Sequence, residues 1–331
     1  MPDSSEATTA PPAGAVPEED DVVHPDFALL DPWFDRCARD LPMRAPDVGP
    51  WATLVFEMMS QQTPIPRVQP IWQAWMRRWP TPEALAGAPT AELLLAWDHL
   101  GYPSRALRLQ RCAAAVAGRP GGRVPADMDE LLALPGIGPY TASAVASFAY
   151  HRRVAVLDTN VRRVLARSLD GVEFAPSQTP GRRERDRAEA LLPADGASAA
   201  RRNLAWMELG ALVCTQRSPH CDDCPLTPSC AWFLAGRPAA EARPRGQSWV
   251  GTDRQARGRV MALLRRAHSA GVPVGEQEAL DAATLAGGPP GQPDRVLRGL
   301  VADGLAVRDD RGRIHLPGSR PPDEGAPVDT A

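Results

Sequence analysis

Cys214, Cys221, Cys224 and Cys230 fall within 17 residues at the spacing C-x6-C-x2-C-x5-C. Four thiolates so close together can saturate one inorganic centre. Structural zinc usually takes two tight C-x2-4-C pairs around a small tetrahedron. Here only one pair is tight and the flanking loops are wider, which suits the larger cube of a [4Fe–4S] cluster. Zinc is the alternative reading, and disulfides a third that needs an oxidising compartment. The first twenty residues are acidic and Pro/Ala-rich, without a basic stretch followed by an apolar one, so an intracellular, cytoplasmic chain is expected.

Two carboxylates stand out next. Glu57 interrupts an apolar stretch (Leu54, Val55, Phe56, Met58, Met59), so a helix there carries a carboxyl on a buried face. Burial raises a carboxyl pKa and suits it to general acid work near neutrality, although a satisfied structural acid fits the same pattern. Gln61, Gln62 and Thr63 follow it with uncharged donors and acceptors suited to base edges. Asp158 sits between an apolar, β-like run at 154–157 and a helix beginning near 159, the position of an N-cap. Between the two acids, Leu134-Pro135-Gly136-Ile137-Gly138 makes a Gly-x-Gly turn ahead of a helix. Backbone N–H groups at that helix start form a phosphate seat without any basic side chain. A lone Gly-x-Gly would favour a tight turn with no ligand, but Leu134-Pro135 ahead of it and Asp158, 20 residues after Gly138, do not.

The elements that must position these residues are mostly helices. Apolar residues recur at helical spacing over 68–79, 90–97, 104–117, 128–133, 139–150 and 159–168, punctuated by Pro and Gly. Residues 1–24 read as a disordered acidic tail, 236–252 as a linker and 318–331 as a second tail. Between the last two, helices at 254–267, 276–284 and 293–303 precede short strands at 305–308 and 313–316, which predicts a winged-helix-like domain over 253–317. Such a unit either grips DNA or packs on its neighbour. No run of about 18 apolar residues occurs, so no membrane span is expected. Cys37 and Cys112 read as buried apolar side chains.

Charge distribution matters more than its sum. The chain's net charge is −3, but residues 1–24 hold six acids and residues 321–331 hold three, which leaves the remainder at +6. A basic body suits a polyanionic partner. All 37 basic Lys/Arg positions are arginine. No side-chain amine is present to form a Schiff base.

Taken in order, Glu57-Met58-Met59-Ser60-Gln61-Gln62-Thr63, His99-Leu100-Gly101-Tyr102, Leu134 to Tyr140, Leu157 to Val164, Met207-Glu208-Leu209-Gly210 and the four cysteines resemble the helix-hairpin-helix DNA glycosylases. Within them the chain resembles the A/G-specific adenine glycosylases of the MutY type, over about residues 26 to 235. The resemblance implies an all-α fold: a six-helix barrel over about 51–150, an iron–sulfur domain from 25–50 and 151–235, and one [4Fe–4S] cluster. It implies excision of adenine opposite 8-oxoguanine or guanine in double-stranded DNA; a monomer is the default expectation. By position, Glu57 would protonate adenine N7 and later handle the water. Asp158 would stabilise an oxocarbenium-like sugar, with Tyr140 and Asn160 positioning and polarising the reacting groups. Arg39, Arg44 and Glu208 fall where the family lines its adenine pocket. Gln61, Thr63, Leu100 and Tyr102 fall where it probes the opposite strand, and Arg217 matches a phosphate contact. Endonuclease III-type relatives carry a lysine where this chain has Tyr140, so a monofunctional glycosylase is expected.

The chain also departs from the family pattern. Met43 replaces a tryptophan ahead of Arg44, and Pro103 follows Tyr102 in place of a second tyrosine. Residues 253–317 are too short for the Nudix-related domain that reads 8-oxoguanine in many members, and they lack its Ser-His pair. The competing readings are a glycosylase of different base choice and a non-catalytic iron–sulfur DNA-binding or redox-sensing protein on the same scaffold.

Overall fold

The structure, a computed structural model, describes residues 25–240 and 249–319. The N-terminal tail, the middle of the linker and nearly all of the C-terminal tail lie outside the described residues. A 3-10 turn leads into α1 (Leu30–Cys37). The first helical body follows as α2 (Pro50–Ser60), α3 (Ile65–Arg78), α4 (Pro82–Ala86), α5 (Thr90–Trp97), α6 (Ser104–Ala117), α7 (Met128–Leu132) and α8 (Pro139–Tyr150). With α1, a second body is formed by α9 (Thr159–Asp170), α10 (Arg182–Ala190), α11 (Gly196–Leu212) and α12 (Ala231–Leu234). A C-terminal unit holds α13 (Asp253–Ala270), α14 (Glu276–Ala283), α15 (Gln292–Ala302), β1 (Val307–Arg308) and β2 (Ile314–His315).

Helix boundaries follow local chemistry. Proline occupies the first turn of α2, α3, α4 and α8, where a missing N–H costs nothing. Side-chain oxygens of Thr81, Asp127, Asp158, Asp195 and Thr252 cap their helices by accepting backbone N–H bonds. α9 and α13 end on Gly171 and Gly271 at φ of +64° and +67°, the left-handed stop that glycine takes without strain.

The core of the first body is built around tryptophan. Trp51, Trp72, Trp75, Trp79 and Trp97 are buried, and Trp75 packs edge-on against both Trp79 and Trp97 at 4.8 and 5.5 Å. Four of these indoles donate to backbone carbonyls of Trp79, Ala52, Ala96 and Gly101, which meets the polar requirement of those four rings. A second core joins α1, α9 and α11 through Phe27, Trp33, Leu165, Trp206 and Leu209.

Two expectations are corrected. Residues 154–157 join no strand; the Val156 N–H donates instead to the side chain of buried Asn203 at 3.1 Å. The run is apolar because it is buried between two helical bodies, not because it pairs in a sheet. Cys37 is exposed at the end of α1, while Cys112 is buried.

In the C-terminal unit, β1 and β2 pair antiparallel with Val307 opposite His315, closed by a turn in which the Asp309 carboxylate accepts the Arg311 and Arg313 N–H groups. This unit packs on its neighbour: its apolar residues, including Val260, Leu264 and Leu300, belong to one continuous core with the first body. Among the described residues, no helix is long and apolar enough to cross a membrane.

Candidate active site

A cleft of about 1320 Å³ lies between the two helical bodies. It gathers most of the residues that the sequence singles out: Glu57, Gln61, Gln62 and Thr63 from α2 and its exit, Gly138 and Tyr140 from α8, Asp158 and Asn160 from α9, Arg39 and Arg44 from the segment after α1, and Glu208 from α11. Gly136, Leu100, Tyr102, Arg217 and the four cysteines are not among its lining.

Glu57 is 6% exposed and receives a hydrogen bond from the Tyr140 hydroxyl at 2.9 Å. Burial pushes its carboxyl up to about 7, helped by the nearby charge of Asp158 and opposed by the Tyr140 hydrogen bond and by Arg44. Burial also raises Tyr140 well above the usual phenol range, so it stays a donor. Asp158 is raised by burial too, but four features favour its anion: the Val161 N–H, the Asn160 side chain, the Asn160 N–H and the charge of Arg163. The donors from Val161 and Asn160 lie at 2.7 and 2.8 Å. One acid therefore sits with a single hydroxyl, the other within an anion-stabilising shell.

The adenine-pocket positions expected from the sequence form one ionic cluster. Glu208, fully buried, accepts from the Arg39 backbone N–H, from Arg39 Nε and Nη2, and from Arg44 Nη2 at 2.6–3.0 Å. Burial would raise Glu208, but the two guanidinium groups overcome it and hold the carboxylate at about 2. Met43 lines the same cleft, and the aromatic face beside Arg44 is that of Phe34, with the guanidinium 5.7 Å from the ring.

Three arginines organise the site, of which only Arg163 falls inside a motif that the sequence singles out. Arg163 donates to Asn160 Oδ1 at 2.8 Å and, across to the end of α11 and the residues after it, to the Gly210 and Cys214 carbonyls at 2.7 and 2.8 Å. It ties the Asp158–Asn160 pair to the first cysteine. Gly210 permits this approach, because a Cβ there would lie 2.7 Å from Asn160 Cβ. Arg167, 1% exposed, holds the 215–216 carbonyls at 2.7 and 3.1 Å and thereby sets the loop that displays exposed Arg217.

Arg105 is the third. It is 4% exposed and donates to the carbonyls of Met58, Met59, Gln61, Leu100 and Gly101 and to Thr63 Oγ1. It closes the open C-terminal end of α2 and binds the 61–63 loop to the 100–102 loop. Burial lowers its pKa to about 10. Leu100 is itself buried, and Thr63 is 7% exposed with its hydroxyl donating to the Leu100 carbonyl at 3.2 Å. Gln61 donates to Thr141 at 3.2 Å, Gln62 is exposed at φ +55°, and Tyr102 is half-buried at φ +47°.

The turn before α8 needs its first glycine. Gly136 has φ +80°, and a Cβ there would press on Arg108 and on Met58 at 3.2 and 3.3 Å. Gly138, extended at φ −101°, is the N-cap of α8.

The four cysteines form no disulfide, and each is half-buried. Burial raises Cys221, Cys224 and Cys230, Cys224 to about 11, and the Cys214 thiol adds to all three shifts, so the four sulfurs share one neighbourhood. Arg167 Nη1 lies 3.4 Å from Cys214 Sγ and its guanidinium is 4.4 Å from the Trp232 ring centroid. Four soft donors with a cation beside them fit a multi-iron centre with negatively charged thiolate ligands. Among the described residues, no group of three or more His, Cys, Asp or Glu side chains is arranged to hold a metal ion.

The helical arrangement with a Gly-x-Gly turn beside a two-carboxylate cleft is that of the helix-hairpin-helix base excision repair proteins. Residues 55–189 match the HhH-GPD superfamily of base excision DNA repair proteins. The fold is similar to that of a solved thermostable thymine-DNA glycosylase, at a TM-score of 0.58 and 27% identity, covering 63% of this chain and 95% of that one. The chain is 49% identical over 286 residues to the adenine DNA glycosylase of Mycolicibacterium smegmatis, covering 86% of this chain and 94% of the relative. It is 50% identical over 287 residues to that of Mycobacterium tuberculosis, covering 86% and 91%. The chain belongs to the adenine DNA glycosylase family of the HhH-GPD superfamily.

Proposed function

We propose that this chain excises adenine from duplex DNA in which it faces 8-oxoguanine or guanine, as a monofunctional glycosylase of base excision repair. The observation that carries the reading is the unequal pair of acids in one cleft. Glu57 is held near 7 and Asp158 is surrounded by groups that favour its anion. Adenine leaves poorly as an anion, so the bond needs a proton on the base and negative charge beside the sugar.

Glu57 gives its proton to N7. The C1′–N9 bond then breaks with its electron pair passing to the base, while the Asp158 carboxylate stabilises the positive sugar. Water adds to C1′ and returns a proton to Glu57, and Tyr140 fixes the orientation of that carboxyl throughout. The adenine must leave the stack to reach these groups. The Arg39–Glu208–Arg44 cluster and Phe34 supply the polar and aromatic walls of the pocket, with Met43 packing where relatives place an indole. Gln61, Gln62, Thr63, Leu100 and Tyr102 form the rim toward the opposite strand, Tyr102 being the ring that the 100–102 loop offers to the surface. Gly136, Gly138 and Arg217 take DNA phosphates.

Cys214, Cys221, Cys224 and Cys230 would hold one [4Fe–4S] cluster. When bound, it supplies a rigid anionic anchor for the Arg217 loop and no redox step in excision. The protein acts as a monomer in the cytoplasm. With every Lys/Arg position occupied by arginine, no side-chain amine serves a lyase step.

Single-turnover cleavage on duplexes pairing A with 8-oxoguanine, G and C tests the reading, with T opposite G as a control for altered base choice. Strand breaks only after alkali, fastest at A:8-oxoguanine, are the expected result. No adenine release by a protein that still binds DNA overturns it.

A further inference from the structure

Tyr102 is held by the C-terminal unit. Its hydroxyl accepts a hydrogen bond from Arg254 Nη1 at 2.6 Å. Arg254 stands in the first turn of α13, and its guanidinium lies 5.0 Å from the Tyr102 ring centroid and 4.6 Å from that of Trp249. From α6, Arg105 reaches the same Tyr102 ring at 5.6 Å. The tyrosine backbone is in the left-handed region at φ +47°, between Gly101 at φ +77° and Pro103. A bulky residue keeps such a conformation only when its surroundings over-determine it. Arg254 holds the ring and hydroxyl of Tyr102 from α13 and is itself backed by Trp249 of the linker.

Neither Arg254 nor Trp249 lines the cleft, so neither touches the reacting atoms. Both are exposed, Trp249 at 47%. A guanidinium stacked between two rings keeps its edge donors, and a planar group of this kind is pre-organised in a way that a lysine is not.

We propose that Arg254 is a positioning residue for the strand opposite the excised adenine: with Trp249 it fixes the Tyr102 ring for entry into the duplex. The C-terminal unit thereby sets how firmly the mispair is engaged. This rests on the assignment of Tyr102 to the opposite strand made above. The unit is thus not a passive appendage, although it lacks the Ser-His pair and the length of the lesion-reading domain of many relatives.

The test uses the full chain and an uncleavable duplex carrying 2-aminopurine beside the base opposite adenine. Its fluorescence rises when a ring disrupts stacking there. Single-turnover rates are measured in parallel on A:8-oxoguanine and A:C duplexes at increasing enzyme concentration. Arg254→Met should raise the half-saturating concentration about tenfold, the loss expected for one charge-assisted hydrogen bond. It should also lower the fluorescence response and keep the saturating rate within about twofold. Tyr102→Phe, which removes one oxygen, should reproduce the first two changes, and the double variant should go no further than either. Arg254→Lys should recover only part, because it keeps the charge and loses the stacked plane. Wild-type half-saturation and fluorescence in Arg254→Met, or a double variant whose losses multiply, would overturn the proposal. Failure of the wild type to release adenine would count against the proposed function alone, since the fluorescence arm needs no cleavage.

Discussion

Glu57 and Glu208 are buried glutamates facing one cleft, 6% and 0% exposed, yet one is held near 7 and the other near 2. Burial pushes both upward. The difference lies in what the rest of the chain sends to meet them. Glu208 receives two arginines and a backbone N–H from the segment after α1, which turns burial into a committed anion. Glu57 receives a neutral tyrosine hydroxyl and an acidic neighbour, which leaves its proton available near neutrality. The same side chain is held as an anion in one place and keeps its proton near neutrality in the other, and the partners decide which.

The largest expected separation is in the chemistry. Glu57→Gln should lower single-turnover adenine release by about 10³-fold, within the range for loss of a general acid, with DNA affinity changed less than about threefold. A stability measurement should then rank the two sites the other way. Glu208→Gln should cost about 3 kcal/mol in denaturant unfolding at pH 7, because two guanidinium groups lose a charged partner.

The pH dependence of stability sharpens the contrast, since the two groups act with opposite sign. Glu57 has a folded pKa raised from 4.5 to about 7, so its ionisation weakens the native state as pH rises through that interval. Glu57→Gln should therefore unfold less readily than the wild type at pH 8, by about 2 kcal/mol, with the gap closing toward pH 4. Glu208 has a folded pKa lowered from 4.5 to about 2, so its contribution is complete above 4.5 and is lost as pH falls toward 2. The smallest effect is a displacement of a limb. Excision should decline above pH 7 as Glu57 loses its proton. Tyr140→Phe, which removes a bond that favours the Glu57 anion, should move that limb to higher pH. A limb that moves to lower pH would show that Tyr140 acts mainly on something other than Glu57.

Legibility in the sequence followed the range of the interactions. Helical periodicity placed α5, α6, α8 and the start of α9 correctly because those signals are local. Glu57 could be singled out because a carboxyl inside an apolar run is an anomaly within its own helix. Asp158 could be read as an N-cap for a similar reason, and it does accept the Val161 N–H. The roles of the arginines that organise the cleft could not be found this way. Arg105 and Arg163 reach carbonyls 44 to 51 positions away, and Arg254 reaches Tyr102 across 152. In a chain whose every Lys/Arg position is arginine, residue type marks none of them. The run at 154–157 misled for a related reason: apolar content reports burial, and burial between helices looks like burial in a sheet.

Arg105 has a consequence for how the rim moves. One buried guanidinium holds the end of α2, the 61–63 segment and the 100–101 carbonyls together. Neither loop can open while that hub stays in place, so their amides should exchange with deuterated solvent as a single cooperative unit with one shared opening free energy. The two sides of the rim would then approach or release the helix of DNA as one jaw, with the timing of both written into a single side chain.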